Sequence, residues 1–327
     1  MKRTLQKIRL AVASMHPIAL ALVTLGAAMP VAAQVKASET VIEKATEQFE
    51  DSPLKIASLD KSLFMFSGDG GNVTAIVDDG STLLVDSGIP SRTVELNDAV
   101  FKMTKRPVTR VINTHWHFDH TGGNVFFGSS GVTIIAQQNV KKQLSSLHEV
   151  PFVGLRDGHY PEQALPTVTY ENTMTLRQGY QQLTLANYGS AHTNGDTIIY
   201  IAPANVAVIG DIFSNAFYPI IDLASGGSID GMIFLVNRIL AQTDERTKIV
   251  PGHGPVATQA DLQAYRDMLV QVRRRIQQMV AEGKTMDEVV AAAPTKDFDA
   301  KWGSGYVTPD VFTKIVFSSL IESNTKR

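Results

Sequence analysis

Three of the chain's eight histidines fall within six residues, His115-Trp116-His117-Phe118-Asp119-His120. Imidazole nitrogens and carboxylate oxygens are donors that Zn²⁺ accepts. The segment directly follows the β-branched run Val108 to Asn113. Alternation along an extended chain therefore puts His115 and His117 on one side. Two ligands so spaced can share one ion. Asp119 and His120, at the turn into Thr121-Gly122-Gly123-Asn124, can face a second ion. Trp116 and Phe118 alternate with the ligands and are expected to point into the fold. Three more donors stand alone: His192 in Gly189-Ser190-Ala191-His192-Thr193-Asn194-Gly195-Asp196, Asp211 at the end of the apolar run Val206 to Gly210, and His253 in Pro251-Gly252-His253-Gly254. Each by itself would pass for a turn or core residue. Together with the first cluster, they make four strand ends that each present a metal-type ligand.

The elements that must carry these residues alternate in type. Strands are expected at 63–66, 72–77, 82–86 and 108–113, with a helix over 91–103 before the last. A strand at 132–136, a helix at 139–147 and a surface loop over 151–166 follow. Strands resume at 167–170, 174–176, 183–187, 197–201 and 206–209. A helix over 229–242, a strand at 248–250, a long helix over 262–282 and two short helices close the chain. The order is hairpins then β-α-β-α, twice. It implies two mixed sheets facing each other with helices outside, a four-layer αββα sandwich in the α/β class. Strand ends then share one edge, where loops carry function. A short amphipathic helix is expected over 38–50, with Val41, Ala45 and Phe49 on one side.

The chain has 327 residues, 44% of them hydrophobic, with 30 basic residues against 32 acidic ones. That composition excludes disordered, collagenous and multi-span membrane classes. It gives no basic excess for nucleic acid. Arg273-Arg274-Arg275 reads as a solvated helix face. There is no cysteine, hence no thiolate ligand, no cysteine nucleophile and no disulfide. Lys2, Arg3, Lys7 and Arg9 precede an apolar run from Ile18 to Val31 that ends in Val31-Ala32-Ala33-Gln34. This is the pattern of a cleaved signal peptide over 1–33. The expectation is a periplasmic or secreted single domain over 34–327, with 258–327 a helical C-terminal part and no membrane contact after cleavage. His148 and His159 have no ligand-spaced neighbours and are expected on the surface or in loops.

The ordered set His-x-His-x-Asp-His, a distant His, an Asp and a last His resembles the metallo-β-lactamase superfamily, from about Leu63 to Pro255. The resemblance implies that His115, His117 and His192 hold a first zinc. Asp119, His120 and His253 would hold a second, and Asp211 would bridge the two. Asp86, in Val85-Asp86-Ser87-Gly88, resembles the family's early strand-end aspartate, which orients a ligand histidine or its loop.

Two zinc ions about 3.5–4 Å apart share a hydroxide and lower its pKa toward ~7. The implied activity is hydrolysis of a small-molecule amide, ester, lactone or β-lactam carbonyl. Asp119 would orient the nucleophile or pass a proton to the leaving group. Cysteine-ligated β-lactamases of the family differ at Asp211, and they carry a lysine where Ser214 stands. Phosphodiesterases, thioesterases and di-iron oxidoreductases of the same fold are the alternatives, with a non-catalytic binding module as a different class. Gly226-Gly227-Ser228 and the apolar loop from Phe213 to Leu223 are expected to line the pocket. Phe217 and Tyr218 are candidates for substrate contact or for packing.

Overall fold

Strand residues that alternate between two buried environments need cover on both faces, and the layering follows from this. The computed structural model describes residues 53–68, 70–215 and 217–325. The signal peptide expected over 1–33 and the helix expected over 38–50 lie outside them. In chain order the first half forms β1 (Lys55–Asp60), β2 (Leu63–Ser67), β3 (Val73–Val77), β4 (Thr82–Val85), α1 (Thr93–Thr104), β5 (Val108–Ile112), α2 (Phe118–Thr121), α3 (Asn124–Ser129), β6 (Thr133–Gln137) and α4 (Gln138–Leu144). A hairpin of β7 (Leu147–Val150) and β8 (Leu155–Gly158) precedes β9 (Val168–Tyr170). The second half forms β10 (Thr173–Gln178), β11 (Gln181–Ala186), β12 (Ile198–Ala202), β13 (Val206–Ser214), α5 (Ile229–Gln242) and β14 (Lys248–His253). Then come α6 (Gln259–Ala281), α7 (Met286–Ala291), α8 (Asp299–Trp302) and α9 (Pro309–Thr325).

The first sheet has the order β1-β2-β3-β4-β5-β6-β9 and the second β10-β11-β12-β13-β14. Both are mixed: antiparallel at their hairpin ends, parallel from β4 to β9 and between β13 and β14. On β4, Leu83 and Val85 join Leu183, Leu185, Ile199 and Val208 between the sheets. Leu84 faces outward under Leu96 and Val100 of α1. On β13, Val206 and Val208 face the first sheet, whereas Ala207 and Ile209 meet α5 and α6. This period of two with both phases buried makes a four-layer αββα sandwich. Each half of the chain builds one sheet. Ser228 caps α5 by accepting from Gly231 N at 3.0 Å, and Thr258 with Asp261 forms a capping box that starts α6 three residues before the expected Leu262.

Four expectations need correcting. The stretch 151–166 is not plain loop, because it contains β8, paired with β7 from Leu147↔Gly158 to Val150↔Leu155. Strands of four residues are too short to display a period. For the same reason the helix expected over 139–147 ends at Leu144. β13 does not stop before Asp211 but runs on to Ser214, with a register shift around Gly210 (φ +51°) that bends it. After the long helix α6 come three helices in place of the two expected, and the last of them has 17 residues. Among the described residues, no helix is long and apolar enough to cross a membrane.

Candidate metal centre

The first three ligand candidates meet where β5 and the loop after β11 come together. Asp86 directly follows β4, in the left-handed region at φ +64°, and its N–H donates to Ile112 O at 2.7 Å. The Asp86 carboxylate accepts from Thr114 N at 2.7 Å and from Thr114 Oγ1 at 2.8 Å. Thr114 Oγ1, its proton committed to Asp86, accepts from His115 Nδ1 at 3.1 Å. His115 Nε2 therefore carries a lone pair, and it is buried with no hydrogen-bond partner.

The same logic applies to the other two rings. His192 Nδ1 donates to Ile220 O at 2.8 Å. His117 Nε2 donates to Asp222 Oδ2 at 3.3 Å. Their inner nitrogens, His117 Nδ1 and His192 Nε2, lie 2.9 Å apart. Three lone pairs thus converge inside the protein, which is the donor set a Zn²⁺ ion fits. Burial, with neighbouring positive charge, holds His115 well below the usual histidine value and His192 down at about 4. Burial works to lower His117 as well, but the hydrogen bond and charge of Asp222 raise it.

The second cluster is built differently. His120 and His253 approach each other from α2 and from the end of β14. His120 Nδ1 donates to Asp86 Oδ2 at 2.8 Å, so Asp86 orients this ring as well as the His115 loop. His120 Nε2 lies 3.0 Å from Asp211 Oδ1, 3.4 Å from His253 Nε2 and 3.5 Å from Asp119 Oδ2. The first of these contacts lacks hydrogen-bond alignment, and Asp211 Oδ1 is buried with no hydrogen-bond partner. His253 Nε2 is 3.0 Å from Asp119 Oδ2 and 3.4 Å from Asp211 Oδ2. Asp211 also comes within 3.8 Å of His192 Nε2, so it sits between the clusters.

Burial opposes charge here, and the opposite charges win. The carboxylates of Asp211, Asp119 and Asp86 hold His120 well above its usual value, and those of Asp211 and Asp119 hold His253 up at about 10. Against the cost of burial, His120 and His253 keep Asp119 down at about 2 and Asp211 well below the carboxylate range. The ligand atoms fall into three groups, each within 4.8 Å: His115, His117 and His192; His115, His120 and Asp211; Asp119, His120 and His253. Backbone closeness makes room for them. A Cβ on Gly252 would collide with the Asp211 carboxylate, and one on Gly71 with the His120 ring.

All seven residues singled out in the sequence are brought together. Asp222 and Thr114 were missed as supports, and so was Asp196. Asp196 closes the His192 loop by accepting from His192 N at 2.7 Å and Thr193 Oγ1 at 2.6 Å. Burial pushes Asp196 up to about 7. The only signal for Asp222 was an aspartate alone in an apolar run. Trp116 and Phe118 point into the fold as expected and are buried.

Gly226-Gly227-Ser228 backs the His192 loop, where Ser228 N donates to Ala191 O at 2.9 Å. Tyr218 is buried, with its hydroxyl donating to Asp299 Oδ1 at 2.8 Å, so it packs. Phe217 stands at the site, its ring centroid 5.5 Å from that of His253. Ser214 is buried. His159 is exposed, whereas His148 is half-buried on β7 with its ring 5.2 Å from Trp116.

The sequence profile of the Metallo-beta-lactamase superfamily matches residues 67–270. The chain is 23% identical over 244 residues to the metallo-beta-lactamase type 2 of Bacillus cereus, covering 72% of this chain and 90% of that protein. Its fold is similar to that of a metallo-beta-lactamase from Pontibacter korlensis, with a TM-score of 0.56 at 19% identity over 66% of this chain and 99% of that one. It is also similar to DIM-1 metallo-beta-lactamase, with a TM-score of 0.54 at 18% identity over 67% of this chain and 98% of that one.

Proposed function

The chain belongs to the metallo-beta-lactamase superfamily, and on that premise we propose that it is an exported, dinuclear zinc hydrolase acting on the carbonyl of a small-molecule amide, ester, lactone or β-lactam. The observation that carries this reading is the convergence of three inward imidazole nitrogens, with His115 Nε2 buried and unpartnered. His115, His117 and His192 would hold one ion, Asp119, His120 and His253 the other, with Asp211 between them. When bound, the ions supply Lewis acidity for the carbonyl and a water acidified toward ~7.

The protein's own groups do the rest. Asp222 and Ile220 O fix which nitrogens of His117 and His192 face inward. Asp86 fixes His120 and the Thr114–His115 turn. The Asp119 carboxylate, ionised and at the more open end of the site, would take a proton from the attacking water and deliver that same proton to the leaving group. Buried rings at the closed end exclude bulk water from the reacting face. The leader over 1–33 and the absence of cysteine support export to an oxidising compartment.

The test is metal analysis and hydrolysis by the purified, zinc-loaded mature protein. The panel is nitrocefin, a carbapenem, an acyl-homoserine lactone, aryl esters and a phosphodiester. Two zinc ions per chain and turnover of a carbonyl substrate are expected. His117→Ala should lose both zinc and turnover by about 10³-fold or more. Two iron ions per chain, turnover of the phosphodiester alone, or wild-type hydrolysis in His117→Ala would each defeat the reading.

A further inference from the structure

Among the described residues, the site is more open on one side than on the other. The His115, His120 and His192 side chains are buried, whereas those of His253, Asp119 and Asp211 are 16%, 14% and 13% exposed. Phe217 stands beside His253 at that opening. The segment Gly303-Ser304-Gly305-Tyr306, between α8 and α9, lies against Phe217. Gly305 is so close that a Cβ there would collide with the Phe217 ring. Both ends of this segment are anchored: Trp302 O accepts from Tyr218 N at 2.8 Å, and Val307 is buried. Tyr306 reaches the other way, and its hydroxyl donates to Val153 O at 2.6 Å at the tip of the β7–β8 hairpin. Val153 packs on the cluster around Trp116, whose ring centroid is 4.7 Å from that of His117.

A path thus runs from His253 through Phe217, Gly305, Tyr306 and Val153, and on through the buried cluster that contains Trp116, to His117. It joins the two ends of the site around its outside. No residue along the path between the two histidines carries a charge. Tyr306 is 46% exposed, so one side of the arch is left facing solvent. A substrate group seated against Phe217, Gly305 and Tyr306 finds aromatic and aliphatic cover.

We propose that the Gly303–Tyr306 segment is a wall of the substrate cleft, and that Tyr306 and Phe217 select substrates carrying an uncharged apolar group next to the scissile carbonyl. The proposal rests on the hydrolase reading above for its reaction, but not for its binding surface. The C-terminal helices then act as part of the site, since α8 and α9 hold the wall in place.

The test is a series of aryl esters whose acyl chains grow from two to eight carbons, assayed on the zinc-loaded protein. In the wild type, kcat/KM should rise about twofold per methylene, as expected for groups half removed from water. In Tyr306→Ala and in Phe217→Ala the slope should be nearly flat, whatever the absolute rate. Tyr306→Leu, which keeps apolar bulk and loses the hydrogen bond, should retain most of it. Calorimetry supplies a second readout that needs no turnover. Octanoate should bind the wild type at least tenfold more tightly than acetate, and Tyr306→Ala should erase the difference. If the wild type hydrolyses no ester yet prefers octanoate, the reaction was misread and the wall stands. Should the alanine variants not fold, octanoate must still shift the Tyr306 ring resonances of the wild type. A flat wild-type series without octanoate preference, equal slopes in wild type and variants, or unmoved Tyr306 resonances overturns the proposal.

Discussion

At one end of the site, His115 and His192 are buried rings whose outer nitrogens are occupied by Thr114 Oγ1 and Ile220 O, and burial keeps both uncharged. At the other end, His120 and His253 face Asp119 and Asp211, and ion pairing outweighs burial. The first end is assembled in a dry interior by hydrogen bonds to neutral partners, with the Asp222 carboxylate on His117 as a charged support. The second is assembled by charge at the open side. Ligand type alone does not make a metal site. What matters is which nitrogen each neighbour leaves free, and how much charge the pocket already holds before a cation enters.

The comparison can be broken from either side. The largest effect should come from removing one ligand at each end. His115→Ala deletes an unpartnered nitrogen from the dry end. It should cost about 10³-fold in kcat/KM, together with zinc at both positions, because His115 falls in two of the three ligand groups. Asp211→Asn removes a charge from the open end. It should cost a similar factor in rate but leave one zinc bound per chain. Metal analysis of the two variants separates the ends, and equal metal loss in both would erase the distinction.

A smaller effect is expected one layer out. Asp86→Asn loosens His120 and the turn leading to His115, whereas Asp222→Asn touches only His117. Each should reduce zinc affinity by about 10–100-fold, with Asp86→Asn the larger because its carboxylate supports both ends. Competition with a chelator reads the order directly. A larger loss in Asp222→Asn would mean that the two ends are not tied together through Asp86.

The smallest effect concerns stability alone. Asp157 on β8 lies behind the dry end, and burial pushes it up from 3.8 to about 7. The folded state therefore holds its proton more tightly than the unfolded state. The stability gained from that proton is complete below about 4 and is lost as pH rises toward about 7. In metal-free protein, Asp157→Asn should lose this dependence. Its stability relative to wild type should climb by roughly 2 kcal/mol or more between pH 5 and 7.5. Urea unfolding across that range checks it. A constant difference would show that Asp157 is ionised throughout.

The candidate ligands were legible because their information is local. His115 and His117 are two residues apart, and Asp211, His253 and His192 stand in or after strands marked by apolar runs. The sandwich was legible for a related reason: strands such as β4 and β13 bury both faces, and that shows as unbroken hydrophobicity. The helix over 229–242 matched to the residue. The β7–β8 hairpin and the course of the C-terminal part were not legible. Four-residue strands show no period, and the contacts of the C-terminal segment are with residues far away in the chain.

The order and spacing of His115, His117, Asp119, His120, His192, Asp211 and His253 determined the donor set, because residue type decides what an atom can bind and local geometry decides which neighbours can bind together. Only the tertiary structure decided which nitrogens face inward. That choice depends on partners such as Asp222, 105 residues from His117, and Asp86, 34 residues from His120. It also decided that Tyr306 reaches Val153, 153 residues away, across the outside of the site. Contacts over such separations come from the packing of two sheets and their helices against one another, and no local pattern in the chain records them.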